Sequence, residues 1–124
     1  MSTSTGEWRM RVVLTLAVQE RQSIEKLTDD GELMNYHVYH LDRAGLIQIA
    51  STDRSGNTRT YRLDIYGSLK GVFKTHADGT DALIYDKDSG YGRKNQAEAE
   101  RDCLAMLERL EATFTEEEHQ AYYF

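Results

Sequence analysis

The segment Met34–Ile47, MNYHVYHLDRAGLI, constrains the fold more than any other part of the chain. It satisfies two periods at once. As a strand, Tyr36, Val38 and His40 alternate with His37, Tyr39 and Leu41, and tyrosine and valine suit a pleated, half-buried surface. Asp42-Arg43-Ala44-Gly45 then closes a hairpin, with Gly45 free to take the positive φ of a tight loop. Leu46–Ser51 is the returning strand. As a helix, Met34, Val38 and Leu41 fall at i, i+4 and i+7 and make one apolar face. The strand reading asks nothing of the short segment that precedes it, and it is the one expected here.

The remaining segments extend a sheet. Trp8, Met10, Val12, Leu14, Leu16 and Val18 alternate strictly, and the β-branched residues among them favour a strand. Met10, Val13, Leu14, Ala17 and Val18 also fit a helical stripe. Gln22–Thr28 reads as one helical turn or a loop. Leu33–Leu41 and Leu46–Ser51 are the next strands. Arg54-Ser55-Gly56-Asn57 has turn chemistry. Thr58–Tyr66 is the clearest strand, with Tyr61, Leu63 and Ile65 on its expected buried face. Leu69–Thr75 and Asp81–Lys87 follow, joined across Asp78-Gly79, a hairpin signal.

Asn95 opens a helix. Asn95-x-x-Glu98 has the residues of a capping box. Ala99, Cys103, Met106, Leu107 and Leu110 form the apolar stripe. Thr115-x-x-Glu118 repeats the start signal, and the chain closes on Tyr122-Tyr123-Phe124. The expected fold is α+β. An antiparallel meander of about five or six strands covers residues 8–87, and one long and one short helix in 95–122 pack on it. A disordered tail, 1–6, precedes them in a single domain, 1–124.

The alternative follows from the helical reading. Tyr36-His37-Val38, then Leu41-x-x-Ala44-Gly45-Leu46-Ile47, resembles the recognition helix of ArsR-like winged-helix regulators, over the stretch Tyr36 to Leu63. That resemblance implies Gly45 as a helix C-cap, and Leu46–Ser51 with Thr58–Ile65 as the wing. It further implies duplex DNA as partner, with Asn35, Tyr36, His37 and His40 facing bases and Arg54 and Arg59 on phosphates.

Charge and composition narrow the functions. There is no run of about 18 apolar residues, so no membrane-spanning helix is expected. The start, MSTSTGE, lacks the charged-then-apolar pattern of a signal peptide. One cysteine makes no internal disulfide, and a cytoplasmic setting is expected. The net charge of −6 argues against nonspecific nucleic-acid binding. Yet the charge is uneven. Between Arg54 and Lys74 the only acid is Asp64, whereas the chain from Glu98 onward is strongly acidic.

No motif names a reaction. His37 and His40 share a face only on a helix, and no nearby Cys or Glu completes a metal set. Cys103 sits inside the apolar stripe, as a structural thiol does. Gly90-Tyr91-Gly92 precedes a helix start without phosphate-loop spacing. No enzyme, metal or cofactor is expected. Binding is. Tyrosine dominates the aromatics, and tyrosine with arginine offers ring area and fork-shaped donors for anions. Arg54, Arg59, Arg62, Lys70, Lys74, Arg93 and Lys94, with Tyr66, Tyr85 and Tyr91, are the candidate lining of an anionic, nucleotide-like site or a protein-binding surface. The plan is similar to that of small phage counter-defence proteins that sequester nucleotide signals. The expected function is a non-catalytic inhibitor or sequestering protein, its expected partner an anionic, nucleotide-like small molecule or a host protein, in a homo-oligomer. A third reading is an acidic inhibitor or immunity-type protein that steers onto a basic partner through its glutamate-rich helices.

Overall fold

Glycine-bearing turns and alternating strands build a six-stranded antiparallel sheet in strict chain order. The computed structural model describes residues 5–18, 23–27, 33–41, 46–114 and 116–117. The strands are β1 (Ser23–Leu27), β2 (Leu33–Leu41), β3 (Leu46–Thr52), β4 (Thr58–Leu63), β5 (Leu69–Thr75) and β6 (Asp81–Asp86). Helix α1 (Thr5–Val18) precedes them, and a short 3-10 turn, Arg93–Asn95, leads into α2 (Gln96–Glu111).

Met34–Leu41 is therefore strand, paired with β3 from Asn35↔Thr52 to Leu41↔Leu46. The winged-helix alternative loses its recognition helix, and the DNA reading that depended on it is not carried further. The hairpin loop 42–45, the tail 1–4 and the expected second helix from Thr115 fall wholly or mostly outside the described residues.

Three expectations are corrected. Trp8–Val18 is not a strand but lies in α1, which also takes up Thr5 and Gly6 of the expected tail. Val12, Val13 and Leu16 are buried, a helical spacing, and Trp8 packs against them. Thr15 turns its hydroxyl onto the Arg11 carbonyl at 2.7 Å, satisfying a polar group inside the helix. Gln22–Thr28 is not a helical turn, since Ser23–Leu27 adds an outer strand to β2. Finally, β4 stops at Leu63 and Ile65 is 47% exposed. Asp64 ends the strand by accepting from the Tyr66 and Ser68 backbone N–H groups.

On one face of the sheet, side chains form three rows across the strands. Ile47, Leu63 and Leu69 make the first. Val38, Ile49, Tyr61, Val72 and Tyr85 make the second, and all five are buried. Tyr36, Ser51, Arg59 and Lys74 make the third. Helix α1 sits at the first row's end, where its Arg9 meets the turn after β4. There Gly67, at φ 81°, leaves no space for a Cβ.

Helix α2 runs across the strands rather than along them. Asn95 reaches Ile84 on β6, Asp102 pairs with Arg59 on β4, and Arg109 reaches Tyr36 on β2. From Asn95 to Arg109 the axis advances roughly 20 Å, close to four strand spacings of about 4.8 Å. Ala99, Cys103, Met106, Leu107 and Leu110 are buried, so the apolar stripe is used as expected. The expected capping box is not made. Asn95 has no side-chain cap bond to the helix and instead donates its amide to the Ile84 carbonyl at 3.0 Å.

Candidate functional site: a basic cleft at the third row

The first two rows lie under the helices; in the third, Tyr36 and Ser51 are buried but the charged members, Arg59 and Lys74, stay half-exposed. Between this third row and the flank of α2 is a cleft of about 320 Å³. Ser51, Arg59 and Lys74 supply the floor, and Asp102, Ala105 and Arg109 the helix wall. Asp53 and Asn57 close one end from the β3–β4 turn. That turn is braced. The Asn57 backbone N–H donates to Asp53 Oδ1 at 3.1 Å, and Asn57 Oδ1 accepts from the Ala77 N–H at 3.2 Å.

Two of the three cations have partners within the protein. Arg59 Nη1 lies 2.9 Å from Asp102 Oδ2, with the side chains 41% and 40% exposed. At that exposure the pair contributes only about 0–1 kcal/mol and parts easily. Arg109 Nε donates to the hydroxyl of fully buried Tyr36 at 2.8 Å. A guanidinium has five N–H donors, so each arginine keeps others for a ligand. Below them, burial pushes the Tyr61 hydroxyl up to about 12, helped by the Asp102 charge and opposed by Arg59. Tyr61 therefore stays a neutral hydrogen-bonding wall at physiological pH. Burial likewise pushes the Cys103 thiol up to about 12.

Of the ten residues proposed from sequence, the structure brings two, Arg59 and Lys74, into this cleft. Arg54 is exposed in the neighbouring turn. Arg62 points to the opposite face, since it lies one residue from both Tyr61 and Leu63. There it adds to the Ser89 hydrogen bonds that hold the Asp86 carboxyl below its ordinary range. Lys70 is half-buried at a bulge opposite Arg62–Leu63. Tyr85 is buried in the second row. Tyr66 is exposed in the turn after β4, and Tyr91, Arg93 and Lys94 are exposed ahead of α2. Sequence reasoning missed Arg109, which sits in an acidic helix. Its three-and-four spacing from Asp102 through Ala105 was the signal that would have placed it on the same flank.

Among the described residues, no group of three or more His, Cys, Asp or Glu side chains is placed to hold a metal. Among them, too, no helix is long and apolar enough to cross a membrane. Comparison of the chain with protein-family models, curated proteins and solved structures finds no match.

Proposed function

We propose that this is a non-catalytic binding protein that sequesters a small anionic, nucleotide-like ligand in the cytoplasm. The observation that carries the reading is the convergence of Arg59, Lys74 and Arg109 on one 320 Å³ cleft. Lys74 supplies a compact charge, and the two arginines supply directional donors. Fully buried Tyr36 holds Arg109 before a ligand arrives, which lowers the ordering cost of binding, while Arg59 is free to exchange its weak pair with Asp102 for the ligand.

Calorimetric titration with inorganic phosphate and pyrophosphate tests it. A hydrogen bond to a charged group contributes about 1.5–3 kcal/mol. Lys74→Ala and Arg109→Ala should each weaken binding roughly tenfold or more, since about 1.4 kcal/mol is a factor of ten. Arg62→Ala and Arg93→Ala should leave it unchanged, because neither side chain lines the cleft. Equal affinity in all four variants would remove the cleft as the site.

A further inference from the structure

The cleft does not end at the Arg59–Asp102 pair. Beyond it, between β5, β6 and the start of α2, lies a second cavity of about 150 Å³. Arg59 and Tyr61 line both spaces. On the helix side, Asn95, Glu98, Asp102, Ala105 and Arg109 follow one another at three and four residues, which is a single stripe along α2. The two cavities are thus neighbours along one helix flank, with the half-exposed Arg59–Asp102 pair where they adjoin.

Its two ends differ in chemistry. The larger end presents Lys74 and Arg109. The smaller end has apolar walls from Val72, Ile84 and Ala99 beside the Tyr61 ring. A cavity near 150 Å³ admits an aromatic ring. Its rim carries one carboxylate, Glu98, among the donors Arg59 and Asn95. Glu98 is acceptor-only when ionised. Asn95 gives one of its two amide N–H groups to the Ile84 carbonyl, so its Oδ1 and one N–H remain beside the carboxylate.

We infer that the smaller cavity is a base-binding subsite, and that the ligand of the two cavities is a guanine nucleotide. The inference rests on the anion reading of the larger cleft. The Glu98 carboxylate, with two oxygens that only accept, selects a ring edge that carries two adjacent donors. Guanine offers a ring N–H and an exocyclic amino group side by side. Adenine offers one amino group beside a ring nitrogen that is itself an acceptor and would face a carboxylate unpaired. Sites built to pair such groups reject analogues that leave them unpaired. The ring slots between Tyr61 and Ala99, and the phosphate reaches Lys74 and Arg109. Arg59 turns from Asp102 towards the ligand between them.

The test is titration of the full chain with four probes: inorganic phosphate, guanosine monophosphate, adenosine monophosphate and guanosine. Guanosine monophosphate should bind at least tenfold more tightly than either phosphate or adenosine monophosphate. Glu98→Gln, at an exposed position in the first turn of α2, should erase that advantage and leave phosphate affinity unchanged. If phosphate binds and neither nucleotide binds more tightly, the base subsite is wrong and the anion cleft stands. Guanine preference that survives Glu98→Gln overturns the assignment of the rim. If none of the four probes binds, both readings fall.

Discussion

Gly92 is where the loop ahead of α2 is tied to the sheet, and its replacement by alanine gives a sharp test of that contact. Gly92 sits at φ 68°. A Cβ there would overlap the Ile84 carbonyl oxygen, and would lie 2.9 Å from its carbon and 3.3 Å from the Tyr85 Cα. All three are backbone atoms of the outer strand and do not swing aside. Gly79 is the matched control, with φ 90° and nothing within 4 Å of its Cβ. In both variants the left-handed backbone costs about 1–2 kcal/mol, offset by roughly 0.4–1 kcal/mol from a stiffer unfolded chain. Gly79→Ala should therefore cost on the order of 0.5–1 kcal/mol. Gly92→Ala adds an overpacking cost of about 1–3 kcal/mol, for a total of roughly 2–4 kcal/mol. With a urea slope of about 2 kcal/mol per molar, its midpoint should fall about 0.5–1.5 M below that of Gly79→Ala. The Gly92 carbonyl also accepts the Asn95 N–H at 2.7 Å, so a displaced loop moves the start of α2. Equal urea midpoints for the two variants would refute the close seating of this loop on β6.

Leu63→Ala should cost about 2–5 kcal/mol and Ile65→Ala under about 0.5 kcal/mol in urea unfolding, because only Leu63 is buried. Tyr36→Phe should cost about 1–2 kcal/mol by removing the hydroxyl that Arg109 donates to, and combining it with Arg109→Ala should add little more. Cys103 should resist thiol reagents at pH 8 in the native state and react once urea unfolds the chain. Stability should fall as pH rises from about 9 towards about 12. Cys103 and Tyr61, with ordinary values of 9.0 and 10.0, keep their protons in the fold to about 12 while the unfolded chain loses them. The slope approaches about 1.4 kcal/mol per pH unit for each group. Stability that is flat across this window, or Tyr61→Phe leaving the slope above pH 10 unchanged, would contradict the burial of these groups.

The hairpins were legible because their information is local. Thr58–Leu63 alternates, and Arg54–Asn57 and Asp78-Gly79 have turn chemistry on either side of paired strands. The N-terminal segment misled for a reason that is visible in it. Its alternation from Trp8 to Val18 is strict, but the intervening positions include Val13 and Ala17, which a half-buried strand would leave polar. The sheet needed a second cover beside α2, and packing there overrode β propensity. Ile65 misled because alternation runs on through a turn that Asp64 imposes by side-chain hydrogen bonds. The cationic cluster from Arg54 to Lys74 was legible as a cluster only. Which members share a face depends on register, and whether Arg109 joins them depends on a helix crossing four strands. Neither is a property of a short window.

The half-exposed charges of the third row have a physical cause in the same spacing. Arg59 lies two residues before Tyr61, and Lys74 two after Val72, so each extends a buried line of side chains onto the same face. An apolar pair at those positions would let α2 settle further over the sheet end. Charges there are costly to bury, so over Arg59 and Lys74 the helix meets the third row through polar side chains, Asp102 and Arg109. Its own flank answers in kind. Asp102 and Arg109 face the row, whereas Cys103, Met106 and Leu110 go to the core. The cleft is thus held open by solvation of matched charges on both walls, in a protein whose other two rows are sealed. Burying those positions would stabilise the fold by closing the site, the usual opposition between stability and a preorganised binding surface. A half-exposed ion pair at this place adds little to fold stability, which agrees with the ligand-binding role proposed for the cleft.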